Sequence, residues 1–342
     1  MASPAEIAAM RRALALAEAP GVPLGPNPRV GCVLLDADGG TIAEGYHRGV
    51  GYPHAEVDAL TKAGERARGA TAVITLEPCN HTGRTGPCAD ALLAAGIARV
   101  VYAQQDGNPV ARGGGEALRE AGVDVEGGLL ADEARAVNPI WTFAVENARP
   151  YVTWKYAATL DGRSAAADGS SRWISSPEAR ADAHRLRAEC DAILVGTGTV
   201  LTDDPRLTVR DAAGEPLEYG RRPLRVVMGL RSVPADAAAL TGAADTLVLN
   251  TRDPAEALKR LLDQDCQHVL LEGGPTLAGA FLREGLVDRV IAYLAPALLG
   301  AGPAALSDAG VGTIAEAIAL EITDVARVGP DVRLTAVRRE RT

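Results

Sequence analysis

Thr75-Leu76-Glu77-Pro78-Cys79-Asn80-His81-Thr82-Gly83-Arg84-Thr85-Gly86-Pro87-Cys88 is the stretch on which the reading of this chain turns. It begins as an apolar strand, Ala72–Leu76, which stops at Pro-Cys. A second Pro-Cys opens an alanine-rich helical segment near Ala89–Ala95. Upstream, His54-Ala55-Glu56 opens another helical stretch, Ala55–Ala67. Two thiols and an imidazole therefore stand at a strand end and next to helix starts.

Zinc takes imidazole and thiolate ligands, and three protein ligands leave a fourth position for water. His54, Cys79 and Cys88 supply that set, one zinc per protomer. Two thiolates offset the metal's charge, and the metal lowers the pKa of its water towards neutrality. Glu56, two residues from His54, is placed to move the water's proton without acting as a ligand. His-x-Glu followed by Pro-Cys and Cys is the signature of zinc nucleobase deaminases. The plainer alternative is a core histidine with two core cysteines. A closed structural zinc site would need a fourth protein ligand. Glu77 is read as serving the strand end.

Outward from this stretch the pattern is regular. Ser3-Pro4-Ala5-Glu6 caps a first helix running to about Ala19. Val30–Leu35 and Thr41–Tyr46 flank Asp36-Ala37-Asp38-Gly39-Gly40 as a hairpin. Strand Arg99–Ala103 and helix Glu116–Ala121 follow, so helices should cover both faces of a sheet. Near Asn147-Ala148-Arg149-Pro150 the pattern restarts, dividing the chain into domains 1–147 and 148–342. The second alternates again: strand Tyr151–Ala157, helix Pro177–Glu189, and strands Ala192–Gly196, Leu224–Met228 and Thr246–Leu249. Helix Ala255–Leu262, strand His268–Leu271, a helix after Pro275 and a closing strand Val332–Arg338 complete it. Two glycine-bearing turns, Gly196-Thr197-Gly198-Thr199 and Gly273-Gly274-Pro275-Thr276, follow apolar strands, as phosphate-binding turns do. Tight structural turns look the same, and no Gly-x-Gly-x-x-Gly is present.

With 342 residues and a net charge of −9, the chain has two-domain length and no basic field for a polyanion. Nucleic acid is disfavoured as a partner. The five cysteines follow no disulfide framework. The apolar run Val290–Ser307 is broken by Pro296, Gly300, Gly302 and Pro303, which argues for strand and loop over a membrane span. The expected setting is the reducing cytoplasm, with no membrane partner. Nothing in the residues excludes a homo-oligomer.

The long spacer between the cysteines, with Asn27-Pro28-x-Val30-Gly31 and Asp106-x-Asn108-Pro109, resembles the deaminase half of the bifunctional riboflavin-biosynthesis deaminase/reductases. Lys155 to Gly162, Ser171-Arg172-Trp173-Ile174, Gly196-x-Gly198-Thr199-Val200, Asp203-Asp204-Pro205 and Glu272-Gly273-Gly274-Pro275 fall in the order of that family's reductase half. The resemblance implies an α/β protein. Its N-terminal domain would be a cytidine-deaminase-like three-layer α/β/α domain, followed by a dihydrofolate-reductase-like α/β domain using NADPH. The substrate would be a small phosphorylated pyrimidine. Asn27 would hold its ring, and His47, Arg84 and Asn108 its ribose phosphate. In the second half Ala157, Trp173, Thr199, Asp203 and the turn Gly273, Gly274, Pro275 and Thr276 would contact NADPH. Ser171, Arg187, Leu207, Arg210 and Glu272 would contact substrate, the arginines at its phosphate. Lys155 and Asp203 are candidate proton donors. Thr197 departs from the usual middle residue of Gly-x-Gly-Thr. The alternatives are a zinc deaminase of nucleosides or tRNA with an unrelated second domain, and a non-catalytic metal-stabilised module binding a flavin-pathway nucleotide.

Overall fold

The computed structural model describes residues 1–19, 25–81, 86–211, 214–215, 222–242 and 244–339. The chain divides into two compact units, Met1–Ala148 and Arg149–Thr342.

In the first unit, α1 (Pro4–Ala17) starts at a Ser3–Glu6 capping box with Pro4 in its first turn. The helix stops two residues before the expected Ala19. Then come β1 (Gly31–Leu35), β2 (Thr41–Tyr46), α2 (Ala55–Ala63), β3 (Thr71–Leu76), α3 (Cys88–Ala94), β4 (Arg99–Gln104), α4 (Gly114–Glu120), β5 (Asp124–Gly127), α5 (Ala131–Val137) and α6 (Pro139–Asn147). The expected helix Ala55–Ala67 turns 3₁₀ from Gly64. The sheet runs β2-β1-β3-β4-β5. β1 is antiparallel to β2 and β3, while β3, β4 and β5 are parallel.

Alternate residues of a strand face opposite sides of the sheet, and here both sides are apolar. Leu34, Ile74 and Val100 pack with Leu92, Leu118 and Trp141 on one side. Their chain neighbours Val33, Val73 and Val101 pack with Met10, Ala13 and Leu14 on the other. That two-sided burial makes a three-layer α/β/α unit, and each such side chain removed from water stabilises by about 1.5–3 kcal/mol. Gly45 fixes how close α2 lies to the sheet. A Cβ there would stand 2.2 Å from the Ala55 carbonyl oxygen and 2.5 Å from the Ala59 nitrogen. Only a hydrogen lets the start of α2, with Glu56, rest on β2.

The second unit has β6 (Tyr151–Thr159), α7 (Pro177–Ala188), β7 (Ala192–Gly196), α8 (Thr197–Asp203), β8 (Leu224–Met228), β9 (Thr246–Leu249), α9 (Pro254–Leu262), β10 (His268–Leu271), α10 (Pro275–Arg283), β11 (Arg289–Ala295), β12 (Leu320–Val328) and β13 (Asp331–Arg338). The sheet order is β12-β13-β11-β6-β10-β7-β8-β9. The six strands from β11 to β9 are parallel, and β13 and β12 close one side antiparallel. β10 is buried along its whole length, as expected of a parallel strand covered on both faces. In open parallel sheets ligands bind beyond the carboxyl ends of the strands. Lys155, Glu272, Gly196 and Gly229 lie towards those ends. No helix among the described residues is long and apolar enough to cross a membrane.

Candidate functional site

His54 is the N-cap of α2 but makes no capping hydrogen bond, which leaves its ring for other work. Cys79 follows β3, and Cys88 opens α3 behind Pro87. These three segments converge. His54 Nδ1 lies 3.2 Å from Cys88 Sγ and 3.6 Å from Cys79 Sγ, and the three donor atoms all fall within 4.8 Å of one another. Bond lengths of ~2.1 and ~2.3 Å in a tetrahedron would put such nitrogen and sulfur ligands roughly 3.6 Å apart. The donor set fits zinc in type and in spacing. The two thiols are tightly linked. A hydrogen bond from Cys88 pulls Cys79 down to about 4, while the same bond and burial push Cys88 up. A cation between them relieves that sharing. Metal analysis should give one zinc per protomer, and none in Cys79→Ser with Cys88→Ser. A zinc-free wild type, or full zinc in the double variant, would refute the assignment.

Glu56 is 4% exposed. Burial raises its carboxyl above the ordinary value, a kind of shift that clusters at functional sites. Asn27 and His47 form a second element. His47 Nδ1 faces the Pro53 carbonyl at 3.0 Å, so that nitrogen carries the proton. Nε2 is then an acceptor and receives the Asn27 Nδ2 hydrogen at 3.0 Å. His47 is buried and held neutral, chiefly by that burial. Held in this way, the ring orients the Asn27 amide. Arg84 lies outside the described residues. Asn108 sits in a loop tied down by Glu77, whose buried carboxylate accepts from the backbone of Asp106, Gly113 and Gly115 at 3.1, 3.3 and 3.0 Å. Glu77 thus serves the strand end, as its sequence context suggests.

In the second unit, Arg187 on α7 closes a fork on Glu272. Nε to Oε1 is 3.0 Å and a terminal nitrogen to Oε2 is 2.6 Å. The other terminal nitrogen donates to the Thr208 carbonyl at 2.9 Å. Burial would raise the Glu272 carboxyl, but Arg187 and Lys155 beside it hold it at about 2. Lys155 is itself pushed down by burial. Leu207 is buried with φ +51°. Arg210 donates to the Gly214 carbonyl at 2.6 Å. His184 was not singled out in the sequence, yet it belongs to this cluster. Burial and Arg187 hold its imidazole down at about 4, and its Nδ1 is buried without a hydrogen bond. Its signal was its position one helical turn before Arg187.

The glycine turns of β7 and β10 adjoin. A Cβ on Gly274 would stand 3.8 Å from Thr199 Oγ1, and one on Gly196 would stand 3.7 Å from Leu277. Side chains would fill this cradle, and their absence leaves backbone accessible to a phosphate. Arg172, next to Ser171, donates to the Asp203 carbonyl. Trp173 is 69% exposed, with the Arg180 guanidinium 4.4 Å from its ring centroid. Ala157 packs inward against Ile291 and Tyr293. The cradle fits the phosphates of NADPH.

A sheet-borne zinc deaminase site in one unit, and a parallel-sheet crevice with phosphate-type turns in the other, define a two-activity deaminase and reductase. Known proteins agree. Residues 4–104 match the cytidine and deoxycytidylate deaminase zinc-binding region, and residues 150–334 match the RibD C-terminal domain. The chain is 50% identical over 316 residues to riboflavin biosynthesis protein RibD of Mycobacterium tuberculosis, covering 92% of each. To the Escherichia coli protein of that name it is 42% identical, covering 96% of this chain and 98% of that one. Acinetobacter baumannii RibD superposes with a TM-score of 0.85 at 38% identity, covering 98% and 99% of the two chains. A deaminase/reductase structure from Thermotoga maritima gives 0.82 at 32%, with the same coverage. The chain belongs to the RibD family: it is a bifunctional deaminase and reductase of riboflavin biosynthesis, with zinc and NADPH as its cofactors.

Proposed function

We propose that the first unit hydrolyses the exocyclic amine of 2,5-diamino-6-ribosylamino-4(3H)-pyrimidinone 5′-phosphate. The second unit then reduces the ribosyl chain to give 5-amino-6-ribitylamino-2,4(1H,3H)-pyrimidinedione 5′-phosphate. The observation that carries the reading is the meeting of His54 Nδ1, Cys79 Sγ and Cys88 Sγ with a buried Glu56 nearby.

His54, Cys79 and Cys88 hold zinc, which when bound makes water acidic enough to attack at neutral pH. Glu56 takes the proton lost by the attacking water and delivers it to the departing nitrogen, so that ammonia leaves as the ring carbonyl forms. Asn27, its amide set by His47, presents its remaining N–H and its oxygen to the pyrimidine edge. Asn108 and Arg84 are assigned to the ribose phosphate. In the second unit NADPH supplies the hydride. Thr199, Asp203, Trp173, Ala157 and Gly273–Thr276 bind and orient it. Arg187 keeps Glu272 ionised and aimed, and offers its remaining N–H groups, with Arg210, to the substrate phosphate. Ser171 and Leu207 complete the substrate wall. The enzyme works in the cytoplasm on this small molecule, without nucleic acid or membrane.

The test measures ammonia release and NADPH oxidation separately on the diamino substrate. Both should occur, in that order. Glu56→Gln given already deaminated substrate should still oxidise NADPH, because each unit has its own core and its own polar cluster. Loss of both activities in that variant, with the fold intact, would contradict independent sites.

A further inference from the structure

The chain's net charge is −9, so an anionic cofactor depends on cations placed locally. One such cation has no use in the scheme above. Arg231 follows β8, at the carboxyl end of the parallel strands, and is exposed. It makes no hydrogen bond or ion pair with any described residue. Its guanidinium instead lies against the turn after β7: a Cβ on Gly198 would stand 2.6 Å from one of its terminal nitrogens. With glycine at 198 the guanidinium rests directly on the backbone of that turn. Gly229 meets the same turn, since a Cβ there would stand 2.5 Å from Thr197 Oγ1. The end of β8 is thus pressed onto the glycine turn, with the charged head of Arg231 against Gly198.

The order of the strands supplies the scale. Lys155 on β6 and Glu272 after β10 belong to the proposed substrate cluster. The glycine turns of β10 and β7 come next, and β8 follows β7. Neighbouring strands lie about 4.8 Å apart, so the β8 end is roughly 10 Å beyond β10. A dinucleotide with its nicotinamide at Glu272 and its pyrophosphate on the turns brings its adenosine ribose to β8.

We infer that Arg231 binds the adenosine 2′-phosphate and so makes the second unit prefer NADPH to NADH. The inference rests on the assignment of the two glycine turns to the cofactor. A guanidinium fork suits a terminal phosphomonoester, to which it can donate two hydrogen bonds at once. The exposed position suits a group that stays at the mouth of the crevice.

The experiment is calorimetric titration of the full chain with NADPH, NADH and 2′,5′-ADP, for wild type, Arg231→Gln and Arg231→Lys. The glutamine variant should weaken NADPH and 2′,5′-ADP by roughly ten- to a hundred-fold and leave NADH unchanged. The lysine variant, keeping a charge without the fork, should fall between. Equal weakening of NADPH and NADH would move Arg231 to the pyrophosphate and overturn the inference. Unaltered NADPH binding in Arg231→Gln would overturn it while leaving the cofactor turns in place. A wild type that binds neither dinucleotide would remove the assignment of the turns themselves.

Discussion

Glu56→Gln is expected to keep its zinc and to lose about 10²–10⁴-fold in deamination rate. The amide matches the carboxylate in size, so the start of α2 and the ligand His54 before it should stay where Gly45 and the sheet put them. What the variant loses is the ability to take a proton from water and give it to the leaving nitrogen. The folded chain spends stability to bury this carboxyl, since burial disfavours its charged form. A purely structural glutamate would be no worse as a neutral glutamine. The measurements are zinc content, the melting transition of the first unit, and ammonia release. Near-wild-type ammonia release with zinc bound would take the proton-carrying role away from Glu56.

Arg187→Ala is expected to abolish NADPH oxidation and to destabilise the second unit by about 3 kcal/mol. The side chains of Arg187 and Glu272 are only 16% and 8% exposed. Removing the arginine strands a carboxylate where water cannot reach it. Lys155 remains beside Glu272, so the cost falls at the lower end of the range for a broken buried pair. In the wild type, Glu272 drops from an ordinary value near 4.5 to about 2 on folding. A depressed folded value means the stabilisation is fully present above pH 4.5 and is lost as pH falls through about 2. The variant should lose this pH dependence: acid between about pH 4.5 and 2 should cost it less stability than it costs the wild type. Arg187→Lys should recover part of the stability, since a charge returns, and little activity, since the fork does not. Urea unfolding of both variants, followed through the second unit's own transition, checks this. An Arg187→Ala chain as stable as wild type would show that the pair contributes nothing.

Much of the architecture is legible because the parallel strands are short, mainly apolar runs bounded by turn residues. Leu224–Met228, Thr246–Leu249 and His268–Leu271 stand where the pattern puts them. β12 is not legible. Its apolar residues Ile322 and Val325 are three apart, because the ladder shifts between Ile322 and Asp324, and a bulge breaks the two-residue period. α8 reads as a glycine turn, since Thr197, Gly198, Thr199 and Val200 are poor helix formers and packing overrides their preference. α5 and α6 are hidden by Pro139, which ends one helical pattern while starting the next. At the first site, ligand identity and Pro-Cys context suffice to find His54, Cys79, Cys88 and Glu56. The hydrogen bonds that give His47 and Arg187 their partners, Asn27 and Glu272, join residues 20 and 85 positions apart, and no local pattern announces them.

Trp173 has an optical consequence. The chain holds three tryptophans, of which Trp141 and Trp154 are each 5% exposed and Trp173 is 69% exposed. A buried indole emits at shorter wavelength than a solvated one, so the red side of this protein's emission originates at a single residue. That residue stands beside Arg172, whose guanidinium reaches the Asp203 carbonyl at the proposed cofactor crevice. Reduced nicotinamide absorbs where solvated indole emits, and energy passes between them only over short distances. The second unit therefore carries an exposed optical reporter at the proposed cofactor crevice.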